Sequence, residues 1–380
     1  MTDVMAWVAR PPRVVHFTSV HPRNDIRVFL KECRSIAQAG CEVYLVVADG
    51  QGPQTVDGVQ VLDAGARSGG RLSRALKTAA RVYATARDLR ADIYHFHDPE
   101  LLPWGLLLRL SGAQVVYDTH EHLAEDILTK HYLPQALRGA LSFIVGRGEL
   151  LAARGLSGVV AAYPHIQRRF EHLTVPSISV CNYPLAHELQ REGPWQQRRA
   201  QACYIGGISV NRGVRELAAA AKLCRTHLVL AGPLWDRLTL EEARSLPGWE
   251  RLSYRGVISR AEVAELMGES RVGIVTFLPT VNHLNAHPNK LFEYMSAGIP
   301  VVASDFPIWR EIVESTGAGL CVDPRDPAAI ATAIDRLAGD AEFGAACGRA
   351  GARAVAGEFN WSTQARKLLD LYQRLQRQRR

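Results

Sequence analysis

The chain has 380 residues, of which 47% are hydrophobic and 22% are charged, a composition typical of a soluble globular protein with two domains. Its apolar runs are interrupted by charges well short of the roughly 18 residues that a membrane span needs. The seven cysteines lack CxxC spacing, so we expect reduced core thiols. No secretory signal opens the sequence, which predicts a cytoplasmic protein.

Most of the net charge of +7 lies in the last fifteen residues, which hold six cations and one acid. Neither a zinc-finger spacing nor an aromatic RNA-binding motif accompanies them, so we expect no nucleic-acid partner. The tail indicates either a solvated helix end or a helix in peripheral contact with an anionic membrane.

In the first half, apolar strand patterns alternate with helical patterns. The predicted strands are RVVHFTSV, CEVYLVVA, ADIYHFH and AQVVYDTH, and the predicted helices are KECRSIAQAG and RLSRALKTAARVYATARDLR. SISVCNYP closes this half. The alternation predicts a parallel sheet covered by helices.

Several polar residues follow these strands, where open parallel sheets bind ligands. His95 and His97 share one face of a strand, but no partner cluster is evident in the sequence, so we predict no metal site. Asp98 and Glu100 are expected to face the cleft on the acceptor side. His120, in YDTHE, is either a cleft residue or a satisfied core histidine.

The stretch LAHELQREGPWQQRRAQ is polar and is interrupted by Gly-Pro, which indicates an interdomain linker. We therefore predict one domain over residues 1–184 and a second over 185–361. Strand patterns then resume with ACYIGGI, THLVLAGP, RVGIVTF, IPVVAS and GLCVD, interleaved with the helices RGVRELAAAAKL, SRAEVAELMG, NKLFEYMSAG and DPAAIATAIDRLAG. The whole pattern predicts an α/β protein with two doubly wound units around a cleft.

The turn GGISVNRG follows the first strand of the second unit. Gly206 and Gly207 would let the backbone approach an anion, while Arg212 offers a planar cation. A plain strand-to-helix turn with a solvated arginine is the alternative.

The stretch HPNKLFEYMSAGIPVVASDFP places two charges in an apolar helix that begins near Asn289. Lys290 opposes the helix dipole, and a buried Glu293 costs stability unless it finds donors. A nucleotide sugar explains both, because Lys290 would meet the diphosphate and Glu293 would accept the two ribose hydroxyls. The alternative is a capped helix with Glu293 in an internal salt bridge. A dehydrogenase is disfavoured, since no GxGxxG follows a strand.

The turn GGISVNRG and the stretch NKLFEYMSAGIPVVASDFP, together with HFHDPELLPWG and VVYDTHEHL, resemble segments of the retaining glycosyltransferases of family 4. The resemblance implies the GT-B fold, two Rossmann-like domains facing a central cleft, with a last helix, 362–380, crossing back onto the first domain. It also implies sugar transfer from a nucleotide diphosphate sugar without metal or other cofactor. The sequence contains no DxD motif, in agreement with that expectation.

By this resemblance, Glu293 matches the second glutamate of the family's E-x7-E motif, and Asn285 replaces the first. Gly207 stands where the family commonly has a phosphate-binding arginine, with Arg212 at the second cationic position. Lys290 would substitute for the missing cation, and Asn289 and Leu291 complete the donor-binding helix start. His120 matches a histidine that reaches the donor sugar.

The family's glycine-rich first loop is replaced here by HPRNDIR, so Asp25 and Arg27 are candidates for its contacts. The predicted function is sugar transfer to a glycan or lipid-linked acceptor at the membrane, in exopolysaccharide or envelope assembly. A sugar epimerase or phosphorylase on the same fold, or a catalytically silent nucleotide-sugar-binding protein, is the alternative.

Overall fold

The structure is a computed structural model. It describes residues 7, 10–67, 74–129, 134–185, 188, 189, 195–236 and 238–378. The chain divides into two compact units, Met1–Asn182 with Ser362–Arg380, and Tyr183–Trp361. Over the described ranges, no helix combines the length and the apolarity that crossing a bilayer requires.

The first unit contains an eight-stranded sheet in the order β3-β4-β2-β1-β5-β6-β7-β8. Its strands are β1 (Arg13–Phe17), β2 (Glu42–Val47), β3 (Gln54–Val56), β4 (Val59–Asp63), β5 (Ile93–Phe96), β6 (Gln114–Thr119), β7 (Gly158–Ala161) and β8 (Ser177–Ser179). All neighbours pair in parallel except β3, which pairs antiparallel with β4. β1, β5 and β6 are almost wholly buried, as expected of strands covered on both faces.

Helices cover this sheet. They are α1 (residues 26–38), α2 (74–88), α3 (Leu102–Leu110), α4 (Leu123–Thr129), α5 (Gln135–Arg154) and the short α6 (Pro164–Gln167). The strand order reverses between β1 and β5, so the loops at their carboxyl ends occupy the position where open α/β sheets bind ligands.

The second unit contains a six-stranded parallel sheet in the order β11-β10-β9-β12-β13-β14. Its strands are β9 (Arg199–Ile205), β10 (His227–Ala231), β11 (Leu252–Tyr254), β12 (Ser270–Val275), β13 (Val301–Ser304) and β14 (Gly319–Val322). Counted within the unit, this is the order 3-2-1-4-5-6 of a Rossmann fold, with the switch point between β9 and β12.

The helices of the second unit follow its strands. They are α7 (Val214–Leu223), α8 (Leu240–Arg244), α9 (Arg260–Glu269), α10 (Val281–Leu284), α11 (Asn289–Ser296), α12 (Pro307–Thr316), α13 (Pro327–Gly339) and α14 (Ala341–Gly357). The two α/β units with parallel sheets confirm the predicted fold class.

The last helix, α15 (Trp361–Gln378), belongs to the first unit for nearly all its length. Its apolar side is buried through Leu368, Leu371 and Leu375. The hydroxyl of Tyr372 lies 2.6 Å from His95 Nδ1 and 3.2 Å from His16 Nε2. The basic tail is therefore a docked amphipathic helix; Arg379 and Arg380 lie outside the described residues.

The prediction of a linker over residues 185–201 is wrong at its end. β9 begins at Arg199, inside that stretch, and the Trp195 ring is buried. The Trp195 ring lies under the Arg271 guanidinium, 4.9 Å from it, and approaches Gly344 so closely that a Cβ there would clash. Because the stretch is mostly polar, its composition did not indicate that Trp195 would be buried.

Candidate functional site

In the second unit, the loop after β9 brings the backbone against a lysine. Gly206 has φ +125°, a conformation that residues with a Cβ rarely adopt. A Cβ at this position would lie 1.9 Å from the Lys290 ammonium nitrogen. Gly232, at the end of the neighbouring strand β10, is equally crowded, because its added Cβ would lie 2.1 Å from the Gly206 carbonyl oxygen. The absence of side chains thus lets two loops and a cation converge.

Arg212 lies beside this loop between two aromatic rings. Its guanidinium carbon is 4.4 Å from the centre of the Trp235 ring and 5.0 Å from that of Phe277. Gly207 permits the arrangement, since its Cβ would lie 2.5 Å from the Trp235 ring. Cation–π contacts of this kind hold a guanidinium without neutralising it, so Arg212 keeps its charge for an anion.

Helix α11 is fixed at the switch point by Tyr294. The Tyr294 hydroxyl accepts a hydrogen bond of 2.9 Å from the backbone N–H of Ile205, the last residue of β9. Its ring lies over Gly273 of β12, where a Cβ would come within 2.3 Å of the ring. One buried side chain therefore ties the helix to both central strands, and it presents Lys290 and Glu293 at their carboxyl ends.

The Lys290 side chain is largely enclosed. Burial lowers the pKa of its ammonium group to about 8; the Glu293 carboxylate opposes this shift, and Arg212 and Arg260 add to it. A lysine so close to two other cations is costly unless an anion joins them. This arrangement favours a bound diphosphate.

Glu293 is held by an arginine that the sequence analysis did not single out. Glu293 Oε1 accepts a hydrogen bond of 2.8 Å from Arg260 Nη1, and Arg260 Nε donates at 2.8 Å to Glu188 Oε1. This is the internal salt bridge considered above as the alternative. It occupies one oxygen of Glu293, and Arg260 remains held by Glu188 if Glu293 changes partner.

The other predicted donor residues lie in and near α11. Asn285 follows α10 and is half-buried, and Asn289 is exposed at the first turn of α11. No side chain caps that turn. Leu291 is wholly buried and its backbone N–H donates to the Pro288 carbonyl oxygen, so its assignment to donor binding stays a prediction.

In the first unit, Asp98 organises the loop after β1. Its Oδ2 accepts hydrogen bonds from the Thr18 hydroxyl at 2.7 Å and the Ser19 N–H at 2.6 Å. The Ser19 hydroxyl also donates to Glu100 Oε1 at 3.0 Å. Asp98 is buried and Glu100 is half-buried. These contacts place both carboxylates at the switch point and give Asp98 a loop-positioning role.

The HPRNDIR loop contributes less than predicted. Asp25 Oδ1 accepts from the backbone N–H groups of Arg27 and Val28 and so begins α1. The Arg27 guanidinium donates to both oxygens of Asp118 and, at 2.6 Å, to the Val180 carbonyl oxygen. It is buried, so its assignment as a ligand contact is wrong. Its ion pair with Asp118, which lies 91 positions later in the sequence, holds the Arg27 side chain in the core.

The statement that His95 and His97 lack a partner cluster is also wrong. Donor atoms of these two residues, Glu32 and Asp118 all lie within 4.8 Å of one another, and all four residues are buried. However, Arg27 already pairs with both carboxylates, at 3.1 Å from Glu32 and 2.9 Å from Asp118. A metal ion would have to share the site with this cation, so the donor set fits a metal poorly.

Burial in this cluster affects its titration. It lowers the pKa of His97 to about 4 and raises the pKa of Glu32 well above its usual range, with the nearby Asp118 adding to the rise. Burial alone would also raise the pKa of Asp118, but Arg27 and the histidines hold it well below its usual range. Neutral histidines therefore surround one ion pair.

His120 lies at the rim of this cluster, just after β6. Its Nε2 is 3.2 Å from His97 Nδ1 and 3.5 Å from Asp118 Oδ2. Its ring packs on His21, with the ring centres 4.7 Å apart. The side chain is 20% exposed, so one edge of the ring is anchored and a smaller part of it reaches the surface.

Two side chains that contact predicted site residues were not predicted from the sequence: Arg260, which pairs with Glu293, and Trp235, which lies against Arg212. Arg260 sits at the start of a helix with an ordinary capping box, and Trp235 follows a strand as an apparently isolated aromatic. In the sequence, only the positions of Arg260 and Trp235 relative to the strands could have indicated a functional role. Both follow carboxyl ends of strands β11 and β10, where ligand contacts are expected.

Two family models match the chain, one in each unit. The model described as Glycosyltransferase Family 4 matches residues 27–182, and the model described as Glycosyl transferases group 1 matches residues 199–340. Together they cover most of the chain. The chain belongs to the family 4, or group 1, glycosyltransferases.

Glycogen synthase of Mycobacterium tuberculosis (strain ATCC 25618 / H37Rv) is 25% identical to the chain over 201 residues, which are 51% of this chain and 46% of the relative. The chain thus matches less than half the length of this curated relative.

Among solved structures, sucrose-phosphate synthase from Thermosynechococcus elongatus has a TM-score of 0.71 at 18% identity, covering 96% of this chain and 99% of that one. HepE of Anabaena in complex with UDP-glucose has a TM-score of 0.69 at 18% identity, covering 94% and 98%. These similarities confirm the GT-B fold.

Proposed function

We propose that this chain is a retaining glycosyltransferase that moves a sugar from a nucleotide diphosphate sugar to a glycan or lipid-linked acceptor. The observation that carries the proposal is the approach of Lys290 to the bare backbone of Gly206, with Arg212 held on the Trp235 ring beside Gly207 and with Glu293, a carboxylate suited to ribose, on the same helix as Lys290. Such a combination meets the needs of a diphosphate and a ribose together.

In this proposal, the second unit binds the nucleotide. The two cations neutralise the leaving diphosphate, so no divalent ion is required. Glu293 turns from Arg260 toward the ribose hydroxyls, and Arg260 keeps its bond to Glu188. We expect turnover to survive EDTA, measured as nucleotide release; a loss of turnover that magnesium or manganese restores would contradict this phosphate site.

His120 of the first unit orients the transferred sugar and steadies charge at the anomeric carbon. The bond from that carbon to the diphosphate breaks on the face where the acceptor oxygen attacks, and the leaving phosphate takes the acceptor proton. No nucleophile is assigned to the opposite face, and family membership supports retention of configuration. Exopolysaccharide or envelope assembly in the cytoplasm is the proposed setting.

A thermal-shift screen of UDP, GDP, ADP and their glucose conjugates tests the proposal. UDP-glucose is the first donor to try, because HepE was solved with it. A ligand at 100 times its dissociation constant adds about 2.7 kcal/mol to the free energy of unfolding. No shift with any nucleotide would overturn the proposal. Turnover without an acceptor would indicate an epimerase, and a requirement for phosphate would indicate a phosphorylase.

A further inference from the structure

Helix α5 has five large apolar side chains on its exposed side, while a sixth, Leu150, is half-buried against the core. The residues that it buries are small or polar: Ser142, Gly146, Glu149 and Ala153. Between 36% and 69% of each large apolar residue on its outer side is exposed, namely Leu137, Leu141, Phe143, Ile144 and Leu151. A surface helix of a globular protein normally shows the opposite arrangement.

Helical spacing makes these two sets true opposite faces. Positions 137, 141, 144 and 151 recur at three- and four-residue intervals, or their sum, and form one stripe. Positions 142, 146, 149 and 153 form a second stripe on the other side. With a rise of 1.5 Å per residue, the outer stripe is roughly 21 Å long.

Packing within the first unit explains the inner face only. The Ser142 hydroxyl donates a hydrogen bond of 2.7 Å to the Ala124 carbonyl oxygen of α4. A Cβ at Gly146 would lie 3.0 Å from the Ala124 Cβ. Small residues are therefore needed where α4 and α5 meet. Nothing in this contact calls for leucine, isoleucine and phenylalanine on the solvent side.

The charged residues of α5 also differ between its two faces. Its only acid, Glu149, points inward, where it pairs with Arg169 at 2.7 Å and accepts from the Tyr117 hydroxyl at 3.0 Å. Arg147 and Arg154 are exposed, and the Arg147 guanidinium lies 5.2 Å from the centre of the Phe143 ring. The outer face thus combines apolar side chains with cations and has no acid.

We propose that this outer face binds an anionic lipid surface. The apolar stripe would enter the boundary between headgroups and acyl chains while the arginines reach lipid phosphates. A second copy of the chain fits less well, because a twofold contact would bring together two identical faces that carry cations and no acid to pair with them. The proposal does not depend on nucleotide-sugar use, so it can fail while the proposed function stands.

The test uses the full chain and co-sedimentation with vesicles of phosphatidylcholine, with or without phosphatidylglycerol. Binding is expected only with the anionic lipid. Ile144→Gln and Leu151→Gln should each weaken it at least about tenfold, because each removes a large apolar contact. Leu223→Gln, on the exposed surface of α7 in the second unit, is the matched control and should bind as the unaltered protein does.

Charge is tested in parallel. Arg147→Gln with Arg154→Gln should weaken binding by about fivefold for each arginine. Arg374→Gln with Arg377→Gln, on α15, removes the same charge from the tail and should leave binding unchanged. Thermal melts check folding, which these exposed positions should not disturb.

Three outcomes would overturn the proposal. They are absence of binding to anionic vesicles, loss of binding in the α15 pair but not in the α5 pair, and binding that the apolar substitutions leave unchanged. Sedimentation velocity completes the test: a dimer that Ile144→Gln dissociates, without vesicle binding, would assign the face to self-association instead.

Discussion

At the scale of single residues, the proposed ribose contact depends on Glu293, which the structure shows paired with Arg260. Replacing Glu293 by Gln keeps its shape and removes the charge-assisted bonds to ribose, which contribute roughly 1.5–3 kcal/mol. We expect UDP-glucose affinity to fall about 10- to 100-fold in calorimetry. The melting temperature should change little, because Arg260 keeps its 2.8 Å bond to Glu188.

Glu314→Gln is the matched control for this change, since it removes an exposed carboxylate from α12 of the same unit. Its affinity for the donor should equal that of the unaltered protein. Unchanged affinity in Glu293→Gln would remove the ribose role and leave Glu293 as the partner of Arg260 alone.

The lowered pKa of the Lys290 ammonium group predicts that donor binding depends on pH. Its pKa of about 8 in the free protein means that the ammonium is present below that pH and is lost above it. The diphosphate attracts only the charged form, so affinity should fall as pH rises, by up to about tenfold per unit above pH 8. Calorimetry with UDP-glucose between pH 7 and 9 measures this directly, because the diester phosphates of the donor do not titrate there.

Lys290→Met should bind the donor weakly at every pH and show no such slope. An equally steep decline in Lys290→Met would assign the titration to another group.

At the scale of elements, the loop after β9 and the start of α11 together form the proposed phosphate site, since Lys290 of α11 lies against Gly206 of the loop. Gly206→Ala should abolish measurable nucleotide binding, because its Cβ would displace the Lys290 ammonium and φ is +125°. The free energy of unfolding should also fall, since an L-residue is strained in that conformation. Thermal-shift and binding measurements on the same sample separate the two effects.

Gly298→Ala provides the control for strain alone. Gly298 ends the same helix with φ +68°, and a Cβ there would meet nothing within 4 Å. It should lose about 1–2 kcal/mol of stability and keep nucleotide affinity. If Gly206→Ala and Gly298→Ala bound the nucleotide with equal affinity, Gly206 would not belong to the phosphate site.

At the scale of the whole molecule, the proposed roles are divided between the units. The residues proposed to contact the nucleotide belong to the second unit, and His120 belongs to the first. His120→Ala should therefore lower kcat by a factor on the order of 10²–10³ and leave nucleotide affinity nearly unchanged. His172→Ala, an exposed histidine of the same unit, should leave both quantities unchanged. Near-normal kcat in His120→Ala, or loss of nucleotide binding, would point instead to Asp98 or Glu100.

The sequence by itself determined the two α/β units, most of their strands, fewer than half of their helices, and the positions of the glycine turn and of α11. These features follow from apolar periodicity, glycine and proline, which act over a few residues. It also identified Lys290 and Glu293, because a charge in an apolar helix is a local conflict visible without a structure.

Only the tertiary structure decided which side chains meet. Arg260 pairs with Glu293 across 33 positions, and Arg27 enters the core to reach Asp118 across 91. Long-range packing also brings Glu32 to the buried histidines and leaves Leu137, Leu141 and Leu151 of α5 exposed. Such contacts depend on how distant elements pack and on which buried charges find partners, and no local pattern encodes either.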